Sequence, residues 1–365
     1  MRNIFIACLF LIVLPHLSAQ KKMSIFTDSL DQSFDVSDFL ITKKGLLPVP
    51  MLITEPSVGY GGAMGLLYFH DSYENKKRPP SISGAFGGYT QNGTWMAGAL
   101  HAGYWREDRI RYVGFVGKVN INIDYYGPLP KPVEMNMSSW IIMQKIQFRI
   151  SESNFFTGLQ YNYTPAQNTF KLPIDIPEFN GIEYNTNISE ITALFIYDSR
   201  NNVLSPTAGI LAQIAPSYSD KWLGGDQLYG KINASIMGLH PINKKLSVGA
   251  KFVSNSKLGD IPFYIKPFVQ MRGVPFLKYQ GNNVMSLEAE ADYNLYKRWH
   301  LIGFAGYGNA FQDYSEISAG NTVLSGGGGF RYLIARKFGM KMGMDFAFSP
   351  DEFAFYITVG HAWLF

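Results

Sequence analysis

Arg272 and Gly273 lie in the stretch VQMRGVPFLKYQGNN, residues 269–283, between two segments that alternate apolar and polar residues. Beyond it, Glu288, Glu290 and Asp292 recur at every second position. A guanidinium facing carboxylates makes contacts that fix position as well as charge. A glycine lets the backbone turn or approach a neighbour closely. This chemistry binds and positions. Catalysis would also need a positioned nucleophile, and none is evident. No Gly–x–Ser–x–Gly occurs, and His70, His101, His240, His300 and His361 are scattered without metal-ligand spacing. GGGGF (326–330) resembles a phosphate loop, but it sits in mid-strand with no helix after it, so close side-chain packing accounts for it better. The sequence therefore predicts no enzyme, no metal and no cofactor. A second group, Asp198, Arg200, Asn201, Pro206 and Gly209 in YDSRNNVLSPTAG (197–209), suits a turn capped by local hydrogen bonds, with the proline and glycine shaping it.

The elements that must hold these residues are strands. In NVMSLEAEADYNL (283–295), Met285, Leu287, Ala289, Ala291, Tyr293 and Leu295 share one face. Ser286, Glu288, Glu290, Asp292 and Asn294 share the other. GMKMGMDFAFS (339–349) repeats the pattern, with Met340, Met342, Met344, Phe346 and Phe348 opposed to Lys341 and Asp345. A period of two is a strand by its geometry. These strands run longer than the roughly 5–6 residues of soluble sheets and suit the roughly 9–11 that cross a bilayer. Oily-out and charged-in alternation then places lipid on one face and a wet lumen on the other.

Composition and address agree. The 365-residue chain has 36 glycines, 22 tyrosines and 27 phenylalanines, and only 16% charged residues, against about 25% in an average soluble domain. A formal charge of +4 is too small to argue for nucleic acid. Residues 1–19 read as a signal peptide: Arg2, an apolar run from Ile4 to Leu14, and a small-residue cleavage site ending at Ala19. Cys8, the only cysteine, falls inside it. Residues 20–46, with Asp28, Asp31, Asp35 and Asp38, read as a short periplasmic lead-in, and 47–365 as the barrel. No later stretch is apolar for the ~18 residues a spanning helix needs. The expected fold is all-β, a transmembrane antiparallel barrel of about sixteen strands with both termini in the periplasm of a bacterial outer membrane.

The last expected strand, FAFYITVGHAWLF (353–365), carries Thr358, Gly360, Trp363 and Phe365 in the pattern of the C-terminal signal by which outer-membrane barrels are recognised for assembly. MRGVPFLKYQGNNVMSLEAE (271–290) and YDSRNNVLSPTAG resemble two blocks of the BamA/TamA superfamily, the surface-antigen barrel of outer-membrane insertases and translocases. The resemblance covers about 47–365. It implies that the loop folds back into the barrel, that Arg272 and Gly273 form its tip, and that Glu288 is the acid on the wall. Where the family often has a second acid in the following strand, this chain has Gly306, which leaves Glu288 or Glu290 as the anchor. Members usually carry periplasmic POTRA domains before the barrel, and residues 20–46 are too short for one.

The resemblance further implies assistance to insertion or translocation of other proteins. The partners would be outer-membrane lipids, client proteins and periplasmic or lipoprotein subunits. In LLPVPMLITEP (46–56), Pro48 and Pro50 cannot donate to a ladder, so the seam between first and last strands should be short of hydrogen bonds. They mark either a lateral gate or merely the chain's entry into the barrel. The alternative function is a passive pore or structural barrel without clients.

Overall fold

The computed structural model describes residues 24–42, 44–71, 80–126, 132–171, 182–203, 205–261 and 265–364. The signal-peptide reading at 1–19 and the terminal Phe365 lie outside them. The fold is a 16-stranded antiparallel β-barrel in which each strand pairs with the next in sequence. The first half comprises β1 (Gly45–Ile53), β2 (Gly61–Phe69), β3 (Ile82–Thr90), β4 (Trp95–Trp105), β5 (Ile110–Tyr125), β6 (Val133–Arg149), β7 (Phe155–Lys171) and β8 (Ile182–Asp198). The second comprises β9 (Gly209–Ser219), β10 (Tyr229–Pro241), β11 (Leu246–Gly259), β12 (Asn283–Tyr296), β13 (Trp299–Phe311), β14 (Asn321–Ala335), β15 (Met340–Phe348) and β16 (Phe353–Val359). One short helix, α1 (Ser37–Thr42), precedes β1. The start of β1 and the end of β16 lie at the same end of the barrel, here the terminal end, because sixteen antiparallel strands return the chain to the level at which it began.

Alternation decides which side of the wall each residue takes. Along β12, Ser286, Glu288 and Glu290 are buried while Leu287 and Ala289 are exposed on the outer face. Apolar residues cover the outer face elsewhere too, including Trp140, Phe195, Ile214 and Leu324. In a lipid environment this exposure is the stable arrangement, since neighbouring strands from β1 to β16 satisfy one another's backbone. No helix among the described residues is long and apolar enough to cross a membrane.

Several boundaries differ from expectation. Alternation predicts strands over 153–166 and 186–199; β7 and β8 instead extend to Lys171 and from Ile182, five and four residues further. Strands predicted from 225 and 242 begin later, β10 at Tyr229 and β11 at Leu246. The expected last strand of 353–365 is corrected to Phe353–Val359. Gly360 has φ +80° and turns the chain out of the ladder. The following turn buries Trp363, whose ring crowds the space where a Cβ on Gly249 of β11 would stand, 2.9 Å away. The alternation seen past Gly360 in the sequence therefore belongs to a tucked-in turn.

The β11–β12 loop packs on the inner wall of the barrel. Within that loop, Val269 and Tyr279 join through a backbone hydrogen bond of 2.9 Å. Val269, Met271, Val274 and Tyr279 pack on Val284, Ala310 and Val323 of β12, β13 and β14. Leu277 packs on Ile123, Met135, Ala166 and Ile188 from β5 to β8. The loop thus touches opposite walls and takes part in two of the barrel's apolar clusters.

Candidate functional site: the lumen lock and the seam

Arg272 reaches the inner wall at three acids from two strands. Its Nη1 donates to Asp345 Oδ2 on β15 at 2.9 Å. Its Nη2 stands 2.8 Å from Glu290 Oε2 on β12, and its Nε 3.8 Å from Glu288 Oε2. The Glu290 contact is off the donor direction, since neither atom has a hydrogen-bond partner. Asp345 is therefore the principal hydrogen-bond acceptor, and Glu288, which the resemblance assigns as the wall acid, is the most distant of the three. The guanidinium also lies 3.6 Å over the ring of Phe304 on β13, a favourable cation–π placement.

Asp345 is fully buried and serves three donors. Besides Arg272, Arg331 Nη2 of β14 donates at 2.6 Å and the Thr358 hydroxyl of β16 at 3.3 Å. Two arginines thus face Asp345 and Glu290, which offsets the cost of burying each charge. The cluster runs on toward the terminal end, where Asp292 accepts from His300 at 2.6 Å and from Lys341.

Gly273 completes the loop tip. Its φ of +77° disfavours other residues. A Cβ there would stand 3.0 Å from the Ala347 Cβ and 3.1 Å from the Phe348 nitrogen, so the tip is pressed onto β15. Its N–H donates to the Tyr356 hydroxyl of β16 at 3.0 Å. Loop, β15 and β16 are consequently one bonded unit.

The wall is hollowed to receive this unit. A Cβ on Gly308 would meet Val269 at 2.4 Å, and one on Gly306 would meet Met271 at 3.0 Å. On β14, a Cβ at Gly327 would meet Phe304 at 2.6 Å, and one at Gly329 would meet the Asp345 carboxylate at 2.5 Å. Inward-facing glycines of the GGGGF run thus vacate the volume that Phe304 and Asp345 occupy. Sequence reading placed Asp345 on the inward face without joining it to Arg272, and missed Arg331 and Tyr356. The available signal was a lone inward acid on 339–349 opposite a glycine run.

The turn block forms a second network at the terminal end. Asp198 receives Arg200 at 2.8 and 3.0 Å, and Arg111 of β5 at 3.0 Å. Arg111 and Arg149 share Asp108 and both lie over Phe156. The Asn201 side chain accepts from the backbone of Thr207 and Ala208. Gly209 has φ +105°, and a Cβ there would meet the Ser199 oxygen at 2.4 Å, so only glycine fits. Pro206 lines a small cavity together with Arg331, Lys341 and His361.

At the seam no ladder joins β1 to β16 among the described residues. β1 pairs with β2 without interruption from Gly45 to Ile53, through Pro48 and Pro50. Such a ladder is possible only if the missing N–H groups lie on the other edge, which faces β16. At the far end Tyr60 stacks on Phe355, with centroids 5.4 Å apart. In the β15–β16 turn beside them, burial and the neighbouring charge of Glu55 push the Glu352 carboxyl up to about 7. A carboxyl raised on folding stabilises below its unfolded value, about 4.3, and that stability is lost as pH rises through about 7. Thermal unfolding in detergent should therefore occur at lower temperature at pH 8 than at pH 5. Glu352→Gln should flatten that dependence, and a Gln variant that keeps it in full would exclude Glu352 as its source.

Comparisons place this architecture. Residues 144–273 match the Omp85 superfamily domain. The fold is similar to that of BamA from Haemophilus ducreyi lacking POTRA domains 1-3, with TM-score 0.60 and 13% identity, covering 87% of this chain and 70% of that one. It is also similar to CdiB from Escherichia coli (TM-score 0.56, 11% identity, 86% and 61% covered) and to CdiB from Acinetobacter baumannii (0.56, 12%, 86% and 59%). The chain spans less than two thirds of either CdiB chain. At these identities the likeness is one of fold. Among curated proteins no match is found.

Proposed function

We propose that this chain, which matches the Omp85 superfamily domain over residues 144–273 and is similar in fold to BamA, assists the insertion or translocation of other proteins at the bacterial outer membrane. The terminal end faces the periplasm, and the loop end faces outward. The observation that carries the reading is the bonding of β16. Its side chains Thr358 and Tyr356 bond to Asp345 and to the loop tip, while among the described residues no ladder joins it to β1. A first strand with free acceptors and absent donors on its open edge accepts a client strand by strand addition. Arg272, Gly273, Glu288 and Glu290 hold the loop, and through Asp345 the loop holds β16. Thr358, Gly360, Trp363 and Phe365 serve as the assembly signal of the chain itself. The partners are outer-membrane lipids, client barrels and periplasmic or lipoprotein subunits.

A disulfide between Leu52→Cys and Phe353→Cys, on the outer faces of the seam strands, tests this. In a strain depleted of the native protein, the oxidised variant should fail to restore the outer-membrane proteome, and reduction should rescue it. Full restoration by the oxidised protein would sink the seam mechanism. The packing of the loop on opposite walls weighs against a passive pore.

A further inference from the structure

The acidic segment ahead of the barrel is bound, not free. Arg298, in the β12–β13 turn, is 2% exposed. Its Nη2 donates to Asp28 at 2.5 Å, its Nε to Asp31 at 2.6 Å and its Nη1 to Asp35 at 2.7 Å. Nη1 also reaches the Phe34 and Leu333 carbonyls, at 3.1 and 3.2 Å. In the β14–β15 turn, Arg336 donates to Asp28 through its side chain and to Asp35 through its backbone N–H, the latter at 3.0 Å. Lys337 pairs with Asp38 at 2.6 Å, and Val36 N–H bonds to the Ile334 carbonyl at 2.9 Å. Every acid of the segment thus pairs with one of two turns.

The chain then leads from Asp38 through α1 directly into β1. The anchoring turns lie on one side of the seam and β1 lies on the other. We propose that residues 24–42 form a strap across the seam at its terminal end, and that the strap, rather than any β1–β16 ladder, limits how far that end opens.

Geometry sets the limit. From Asp38 to Thr42 the helix advances about 6 Å. From Thr42 to Gly45 the chain reaches at most about 10 Å. Strands lie about 4.8 Å apart, so with the seam closed β1 is about 12 Å from the β14–β15 turn. The strap has about 4 Å to spare, less than one strand width. A hairpin entering the seam at this end would need about 10 Å, so the aspartates must release first.

Spin labels at Leu46→Cys and Val359→Cys, in a Cys8→Ser chain, report the width of this end of the seam by pulsed electron resonance. Arg298→Ala should lengthen and broaden the distance distribution by on the order of 5 Å, one strand width. The milder pair Asp31→Asn with Asp38→Asn leaves the barrel turns intact and should shift it the same way. An unchanged distribution in the Asn pair would overturn the strap, whether or not the Arg298 variant folds. The readout is seam width and not client insertion. A seam that widens while insertion proceeds unaltered upholds the strap and removes the insertion reading.

Discussion

Replacing Asp345 with alanine is expected to lower the unfolding free energy by about 3–5 kcal/mol, the usual cost of removing one partner from a buried charge cluster. The carboxylate is completely buried. Its loss leaves Arg331 with only Glu290, 3.9 Å away. It leaves Arg272 with an off-axis contact to Glu290 and a remote Glu288. It also frees the Thr358 hydroxyl on β16. Asp345→Asn keeps one acceptor oxygen and should cost less. Glu288→Ala should cost less than Asp345→Ala, because the nearest Arg272 atom is already 3.8 Å distant. Denaturant titration in detergent, followed by tryptophan fluorescence, measures all three. An Asp345→Ala variant within 1 kcal/mol of the parent would show that the loop is held by its apolar packing instead. Limited proteolysis adds a local readout: the Asp345→Ala loop should be cut faster than the parent's, since its tip is no longer held to β15.

The second large effect is expected at Asp198. Asp198→Ala should cost about 3 kcal/mol or more, because Arg111 and Arg200 are both little exposed and both lose a carboxylate. The two are not equivalent. Arg111 retains Asp108, at 2.7 Å through two nitrogens, and its stack on Phe156. Arg200 retains only a long contact to the Val203 carbonyl, 3.5 Å. Arg200→Ala should therefore cost less than Asp198→Ala, since Asp198 keeps Arg111. In the double variant the two losses should not add, with a coupling of about 1–3 kcal/mol. Strict additivity would mean that the bidentate contact carries no net stabilisation.

The wall was legible in the sequence to within a few residues, because lipid outside and charge inside impose a period of two that needs no partner to be seen. Alternation predicts strands over 299–312 and 321–335, which coincide with β13 and β14 to within one residue. What alternation cannot say is which inward residue meets which. Glu288 and Glu290 could be nominated for Arg272 because they lie on the strand that follows its loop. Asp345 lies 73 residues further on, and only the closing of the wall brings it to the same point. The aspartates at 28, 31 and 35 posed the same difficulty, because their arginine partners lie more than 260 residues away. The end of β16 was misread for a different reason. Gly360 changes direction through its φ angle, and an isolated glycine in an alternating run gives no sign of whether it does so.

The glycine-hollowed wall has a consequence for the order in which the molecule can be made. The β11–β12 loop precedes in the chain the strand whose inner glycines make room for it, β13 with Gly306 and Gly308. It also precedes the strands that tie it down, β15 through Asp345 and β16 through Tyr356. The bonds of the tip to β15 and β16 can therefore form only after those strands have joined the wall, and the lock is not complete before the last strand is in place.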